Sequence, residues 1–274
     1  MKKTILIILI ALIGISIAAN AQGDILITPY RVVLDGKKQK EEINIANTGK
    51  DTAVYSISFL QKKMNEDGSF ENIDQSESNL MFADKYVRIF PRTVTLGPGE
   101  SQVIVIQFDR KMDMLAGEYR SHLYFRAENK QIPLGMESTI LDPNNLSVQL
   151  IPVYGMTIPI IIRNGKVNVN SSLTNLKLGK YKDNSQKLSL TINRTGNCST
   201  YGDLNVEFIP KKGKSIQVGT INGIAVYTSI DKRNVDIKLD NVNGKQLKDG
   251  KLKVQYKTSD QKKETVYAEE ILEL

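Results

Sequence analysis

Apolar and polar residues alternate with a period of two along almost the whole chain, and no segment carries the stripe of an amphipathic helix. This period is typical of strands that bury one face and expose the other. We expect strands over residues 42–47, 54–60, 86–96, 101–108, 119–127, 146–163, 188–193, 204–208, 224–230, 235–239, 251–257 and 265–272. Short strands separated by turns at this spacing predict an all-β protein built from two β-sandwiches in tandem.

One of these segments contains a proline and is followed by a strong turn sequence. Pro91 interrupts residues 86–96, which predicts a sheet edge or a kink at that point. Gly97, Pro98 and Gly99 follow, with proline and glycine in the two central positions of a type II turn. We therefore predict that residues 86–96 and 101–108 form a hairpin.

The chain begins with the pattern of a secretory signal. Lys2 and Lys3 precede an apolar stretch, and residues 19–21 read Ala-Asn-Ala, a small-x-small cleavage site. Residues 1–21 are thus predicted to be removed, which leaves 253 of the 274 residues, enough for two domains. No later segment is long and apolar enough to predict stable membrane insertion. A polar turn after Arg163 predicts domains over residues 22–163 and 164–274.

The composition argues against several classes of function. The formal net charge is +7, or +5 without Lys2 and Lys3, and the Lys and Arg residues are scattered along the chain without a dense block. This distribution predicts no nucleic-acid partner. Cys198 is the single cysteine, so we expect a free, buried thiol and no internal disulfide. His122 is the single histidine, so no second histidine is present to build a zinc site. We expect His122 to be a packed strand residue and not a catalytic base or a metal ligand. We predict a protein that is not an enzyme and binds no cofactor or metal.

Arg31 is an unusual residue in its segment. It lies in a β-type run, residues 28–36, and the alternation places it on one face with Val33 while Tyr30, Val32 and Leu34 occupy the other. A guanidinium group on a rigid strand can hold a carboxylate through two parallel hydrogen bonds. The alternative is a side chain that extends its charge into solvent from a sheet edge.

Four stretches together resemble the periplasmic pilus-assembly chaperones of the PapD-like type. They are residues 31–36, with the arginine and an acidic-glycine turn; 43–47, ending in Asn; 90–102, with the proline and the Leu-x-Pro-Gly turn; and 119–125. The resemblance covers residues 24–163. Over residues 164–274 only the strand pattern and residues 193–197 echo it.

The resemblance implies a fold, a function and partners. The fold would be two immunoglobulin-like β-sandwich domains in a boomerang arrangement. The protein would act in the periplasm, donating a strand to an incompletely folded, β-rich, pilin-like subunit, with an outer-membrane usher as a further partner. Arg31 would hold the terminal carboxylate of the subunit. Residues 147–157 would form the donated strand, with Val148, Leu150, Pro152 and Tyr154 on one face, or Ile151 and Val153 in the opposite register.

One feature departs from the family pattern. The family pairs its arginine with a lysine, and counting back from Arg163 places that lysine on or near Pro159. No Lys or Arg occurs between Asn145 and Ile162. The second cation is therefore missing, replaced by a residue from elsewhere, for which Lys130 is one candidate, or not used.

A second function from a different class is compatible with the same sequence. Tandem immunoglobulin-like domains also serve as exported structural or adhesive modules that bind a surface protein or a glycan. Hydrogen exchange over residues 147–157 distinguishes the two hypotheses. In a chaperone without its client these amides should exchange freely, whereas in a structural module they should be protected.

Overall fold

The structure is a computed structural model that describes residues 25–74, 80–109, 113–128, 154–242, 246–259 and 264–274. Within these ranges the protein is almost entirely β-structure, with one turn of 3₁₀ helix at Asp84–Tyr86. The described chain therefore holds no helix that could span a bilayer. The predicted signal, residues 1–21, lies outside the described residues.

The N-terminal part of the chain forms a sandwich of two sheets. Its strands are β1 (Ile25–Thr28), β2 (Val32–Leu34), β3 (Lys40–Asn47), β4 (Ala53–Leu60), β5 (Lys62–Met64), β6 (Phe70–Asn72), β7 (Val87–Phe90), β8 (Thr93–Leu96), β9 (Ser101–Phe108), β10 (Gly117–Glu128) and β11 (Gly155–Asn164). One sheet has the order β1-β3-β9-β7 and the other β2-β11-β10-β4-β8. Strands β5 and β6 form a separate hairpin.

The C-terminal part forms a second sandwich. Its strands are β12 (Val169–Lys180), β13 (Gln186–Gly196), β14 (Thr200–Pro210), β15 (Ile216–Val226), β16 (Lys232–Lys238), β17 (Gly250–Thr258) and β18 (Val266–Glu273). The sheets have the orders β12-β13-β16 and β15-β14-β17-β18. Two separate clusters of buried apolar residues, one per sandwich, confirm the predicted all-β fold of two sandwiches. The domain boundaries, residues 22–163 and 164–274, stay a prediction.

Alternating burial explains why these segments are strands. In β3 the side chains of Ile43, Ile45 and Asn47 are buried while the residues between them are more exposed. In β14 every second residue from Thr200 to Phe208 is buried in the same way. Each buried row faces the opposite sheet of its own sandwich, so the hydrophobic effect fixes which face of each strand turns inward.

The predicted hairpin is confirmed only in part: residues 87–90 (β7) pair antiparallel with residues 105–108 of β9, whereas residues 93–96 (β8) do not pair with β9. Glu100 N–H donates to Gly97 O at 3.1 Å, and Gly99 has a φ of +73°, as a type II turn requires. The strands on either side enter different sheets, because β8 pairs with β4 while β9 lies between β3 and β7. Pro91 lies between β7 and β8, where the chain changes sheet, which confirms the predicted kink. The peptide bonds Thr28–Pro29 and Phe90–Pro91 are both cis.

Other predicted strands agree with the structure to within a few residues, with one exception. The strand predicted over residues 224–230 is β15, which ends at Val226. Of the extended run predicted over residues 146–163, the structure describes only the part from Tyr154 onward. Cys198 is a free, buried thiol, as expected.

A buried carboxylate joins the two sandwiches. The Glu118 side chain, at the start of β10, has no exposed surface, and its Oε2 accepts from Arg163 Nε at 3.1 Å and from Ser199 N–H at 3.0 Å. Arg163 Nη2 also donates to Ser199 O at 3.1 Å. Because a buried charge is tolerated only when it is paired and hydrogen-bonded, this network fixes the contact between β11 and the chain entering β14.

We predict that Glu118→Gln lowers the free energy of unfolding by on the order of 3 kcal/mol, because it removes the charge that pairs with Arg163 in a largely buried site. Lys187→Gln is the matched control, since Lys187 pairs with Asp236 at 2.6 Å in an exposed position. That variant should lose less than about 1 kcal/mol. Urea denaturation of both variants measures the difference, and equal losses would contradict the prediction.

Candidate functional site

Strand β11 has an edge that is only partly paired. On one side it pairs with β10 along its whole length, from Gly155 to Asn164. On the other side it pairs with the three-residue strand β2, in parallel, at Ile160, Ile161 and Ile162. No described strand covers the part from Gly155 to Pro159 on that side. An edge of this kind presents unpaired main-chain groups to which another strand can be added.

The register shows which main-chain groups point outward. Ala127 N–H donates to Tyr154 O at 2.9 Å, so Tyr154 and every second residue after it bond to β10. The residues between them, Gly155, Thr157 and Pro159, direct their main-chain groups to the open edge. Proline has no N–H, and the parallel register with β2 directs the Val32 N–H to the Pro159 carbonyl, so the open edge offers two donors and two acceptors, from Gly155 and Thr157.

Arg31 lies between β1 and β2, next to this open edge. The burial of Val32 and Leu34 beside the half-buried Arg31 and Val33 confirms the predicted alternation, whereas Tyr30 is exposed. The guanidinium group is held against two tyrosines of the second sandwich. Its carbon lies 4.4 Å from the centroid of the Tyr201 ring, and its Nη1 donates to Tyr227 Oη at 3.1 Å.

The structure also shows what stands where the lysine was expected. Continuing the β2–β11 register back by one residue places Pro159 beside Arg31, and Pro159 lies opposite His122 on β10. Two residues farther along the strands, on the same face of the sheet, Ile161 lies between Val33 on β2 and Arg120 on β10. Arg120 is therefore a cation on the same face as Arg31, with β11 between them. The alternative candidate, Lys130, lies outside the described residues.

Arg120 is a buried cation beside Arg31. Its residue surface is 7% exposed, and its guanidinium carbon lies 3.9 Å from the centroid of the Tyr227 ring. Its Nη2 donates to Lys62 O at 3.0 Å, whereas Nη1 is buried with no hydrogen-bond partner among the described residues. Burial lowers the pKa of Arg120, and the charge of Arg31 acts in the same direction, against Tyr227 and Glu118. Arg31 and Arg120 are called the arginine pair below.

His122 extends the buried polar row beyond Arg120. It is 4% exposed, and its Nδ1 has no hydrogen-bond partner among the described residues. Burial, and then the charges of Arg120 and Lys62, lower the pKa of His122 to about 3. The imidazole is therefore neutral at physiological pH and adds no charge to the arginine pair. It is a packed strand residue, as predicted.

The β5–β6 hairpin forms a wall of this site. Asn234 N–H donates to Glu66 O at 2.7 Å, and Met64 N–H donates to Ser229 Oγ at 3.3 Å, so the hairpin is held against the second sandwich. The Phe70 ring lies 5.6 Å from the His122 ring and 6.1 Å from the Tyr227 ring, measured between centroids. The arginine pair thus lies among aromatic rings, where charged interactions are screened less than in water.

The predicted site residues have different outcomes. Arg31 lies in the site described above. Val148, Leu150 and Pro152, and the alternative register with Ile151 and Val153, lie outside the described residues. Tyr154 is described and is 54% exposed just before β11. The role of Tyr154 in pairing with a client stays a prediction.

Sequence reasoning missed Arg120, although a signal was present. Arg120 lies between Tyr119 and Ser121 in a strand whose other members include Leu123 and Phe125. A cation inside such a strand is the same anomaly that singled out Arg31. Arg120 and His122 are also two residues apart in this strand, which places both side chains on one face. Within the described ranges, no group of three acidic, His or Cys residues could hold a metal ion.

Comparison with solved structures finds similarity to chaperones, some of them described as chaperones of pili or fimbriae. The YadV chaperone is 13% identical, with 92% of this chain and all of that chain covered and a TM-score of 0.45. The Pseudomonas aeruginosa CupB2 chaperone is 10% identical, with coverage of 90% and 100% and a TM-score of 0.44. A complex of the Salmonella enterica SafA pilin with the SafB chaperone matches at 12% identity, with coverage of 93% and 99% and a TM-score of 0.43. No protein-family model and no curated protein sequence matches the chain.

We predict that His122 does not titrate between pH 8 and pH 5, because its pKa in the folded protein is about 3. As the single histidine, it has one Cε1–H signal, whose NMR shift should stay constant over this range. A midpoint near 6.5 would contradict the prediction.

The same pKa predicts how stability depends on pH. Between the folded value of about 3 and the unfolded value of 6.5, the unfolded chain binds more protons, so stability falls as the pH is lowered through this window. We expect about 2 kcal/mol to be lost from pH 7 to pH 5 through this group. Urea denaturation at both pH values, with His122→Gln as the control lacking this loss, measures the difference.

Proposed function

We propose that this protein is a periplasmic chaperone that adds the open edge of β11 to a strand of an incompletely folded, pilin-like, β-rich subunit. The observation that carries the proposal is the row of outward-facing main-chain groups from Gly155 to Pro159, which ends beside Arg31. The predicted signal over residues 1–21 supports export to the periplasm. The role is one of binding and capping, with no catalytic step.

Strand addition supplies affinity without needing a particular client sequence. Each outward N–H and carbonyl of β11 can bond to the main chain of any extended partner. A client with an unpaired edge is prone to aggregation until this edge is covered. Main-chain bonds alone do not set the register, because a ladder can slip by two residues and keep the same face inward. A fixed point is therefore needed beside the ladder.

Arg31 can provide this fixed point through a carboxylate. Among the described residues no acidic side chain pairs with Arg31, whose Nη1 donates to Tyr227 Oη. A guanidinium group has five N–H donors in a planar fork, so donors remain for a carboxylate. The free carboxylate at the end of the client chain is the group that would mark one register. We propose that it binds at Arg31.

The donated strand would continue from β11 toward the N-terminal side. Tyr154 is exposed at this end, and we propose that it contacts the client together with Val148, Leu150 and Pro152. The opposite register, with Ile151 and Val153, remains the alternative. An outer-membrane usher that receives the loaded complex is proposed as the second partner.

We predict that Arg31→Ala weakens binding of the client at least about 100-fold while the protein still folds, because a charge-assisted pair with the client carboxylate is lost. Affinity capture of the tagged protein from its native periplasm, followed by mass spectrometry, identifies the client, and titration of the purified client measures the loss. Arg88→Ala is the control, since Arg88 is exposed and pairs with Asp109 at 2.8 Å on the other sheet. Equal binding by wild type and Arg31→Ala would refute the role of Arg31.

We predict that Thr157→Pro weakens client binding about tenfold, because it removes one of the two outward donors. Pairing with β10 should survive, since Thr157 does not bond to that strand and Pro159 already occupies an equivalent position. Thr157→Val keeps the amide and should bind the client as wild type does.

Hydrogen exchange tests the edge directly. The amides of Gly155 and Thr157 should exchange freely in the isolated protein and become protected in the complex. Protection of both amides in the isolated protein would instead favour an exported structural or adhesive module.

A further inference from the structure

We propose that Arg120 is the second cation of the Arg31 site, and that the arginine pair together binds an anion with two oxygens, such as a carboxylate. Arg120 lies on β10, separated from Arg31 by β11. Two strand spacings and an offset of two residues along the strands put their backbones about 12 Å apart, a distance that two arginine side chains can close between them. Both guanidinium groups converge on Tyr227, which Arg31 contacts at its hydroxyl and Arg120 at its ring face.

The charge of Arg120 is not neutralised by a direct ion pair among the described residues. The acidic side chain nearest along β10, Glu118, is engaged by Arg163 and by Ser199 N–H. A buried cation without an ion-pair partner is unfavourable, and the Tyr227 ring and Lys62 O compensate for only part of this cost. The buried Nη1 of Arg120 still lacks a partner. The site is therefore built with an excess of positive charge.

The same arrangement raises the affinity for an anion at Arg31. Arg31 and Arg120 repel each other, and this repulsion contributes to the lowered pKa of Arg120. An anion near both groups adds two attractions that offset this repulsion. Because the pair lies among aromatic rings between two sandwiches, the field of Arg120 reaches a ligand at Arg31 with little screening. We expect Arg120 to strengthen anion binding about tenfold.

The position of Pro159 explains why this charge comes from β10. Pro159 occupies the place on β11 beside Arg31, and it has neither a charge nor an N–H. Arg120 lies one row farther along the sheet, opposite Ile161, and its side chain reaches Tyr227 from there. Arg120 is a positioning residue in this arrangement. It holds the anion through its field and through Tyr227, whereas Arg31 makes the direct contact.

The test uses acetate, which carries the same group as a chain terminus and needs no client. Only the source of the carboxylate rests on the proposed function. Sodium acetate is titrated into the full protein, the Nε–H signals of the arginine side chains are followed by NMR, and sodium chloride at equal ionic strength corrects for screening. In wild type we expect the signals of Arg31 and Arg120 to shift together with one saturating curve. An Arg120 signal that acetate leaves unmoved would overturn the proposal, whatever the variants do.

Variants separate the charge of Arg120 from its packing. Arg120→Met should weaken acetate binding about tenfold, Arg120→Lys should stay within about threefold of wild type, and Arg88→Met should leave binding unchanged. A loss that is equal in Arg120→Met and Arg120→Lys would mean that shape and not charge matters, which overturns the proposal. If acetate binds as expected but no client pairs with β11, the proposed function fails and the anion site stands. If Arg31→Ala loses the client but Arg120→Met keeps it, the proposed function stands and the role of Arg120 in the anion site fails.

Discussion

The short parallel pairing of β2 with β11 is the constraint on which the site depends. Three residues of β2 cover three isoleucines of β11 and leave the preceding five residues without a described partner on that side. The same pairing brings Arg31 to the end of the uncovered part. A longer β2 would satisfy the edge internally and remove the surface, whereas the absence of β2 would leave Arg31 unplaced. The length of one strand thus creates both the main-chain surface and its charged end.

The second sandwich contributes the other half of the environment. Tyr201 and Tyr227 come from residues more than 160 positions after Arg31, and both rings lie close to its guanidinium carbon. The β5–β6 hairpin adds Phe70 and the carbonyl of Lys62 from a third direction. None of these groups carries a negative charge. The result is a positively charged site whose walls stabilise cations through ring faces and carbonyls, which is the setting of the anion binding proposed above.

Much of the fold could be predicted because alternation is a local signal. The strands over residues 42–47 and 101–108 match β3 and β9, since one buried face imposes the pattern on each strand separately. Pairing between strands is not local. Gly97, Pro98 and Gly99 predict that the chain reverses its direction. A turn of this kind can join two strands of one sheet or lead from one sheet to the other, and here it leads from β8 in one sheet to β9 in the other. For the same reason Arg31 could be found from its own segment, while its convergence with Arg120 required β11 and Tyr227 to be placed.

Pro159 has a further consequence for the free protein. An exposed edge invites pairing between identical copies, and proteins commonly limit this risk with prolines on edge strands. Here the proline ends the row of donors after Gly155 and Thr157, at the point where β2 begins to cover the strand. Two copies that met along this edge would form a ladder of very few bonds. The short row of donors thus disfavours pairing between two copies and keeps the edge open for the client proposed above.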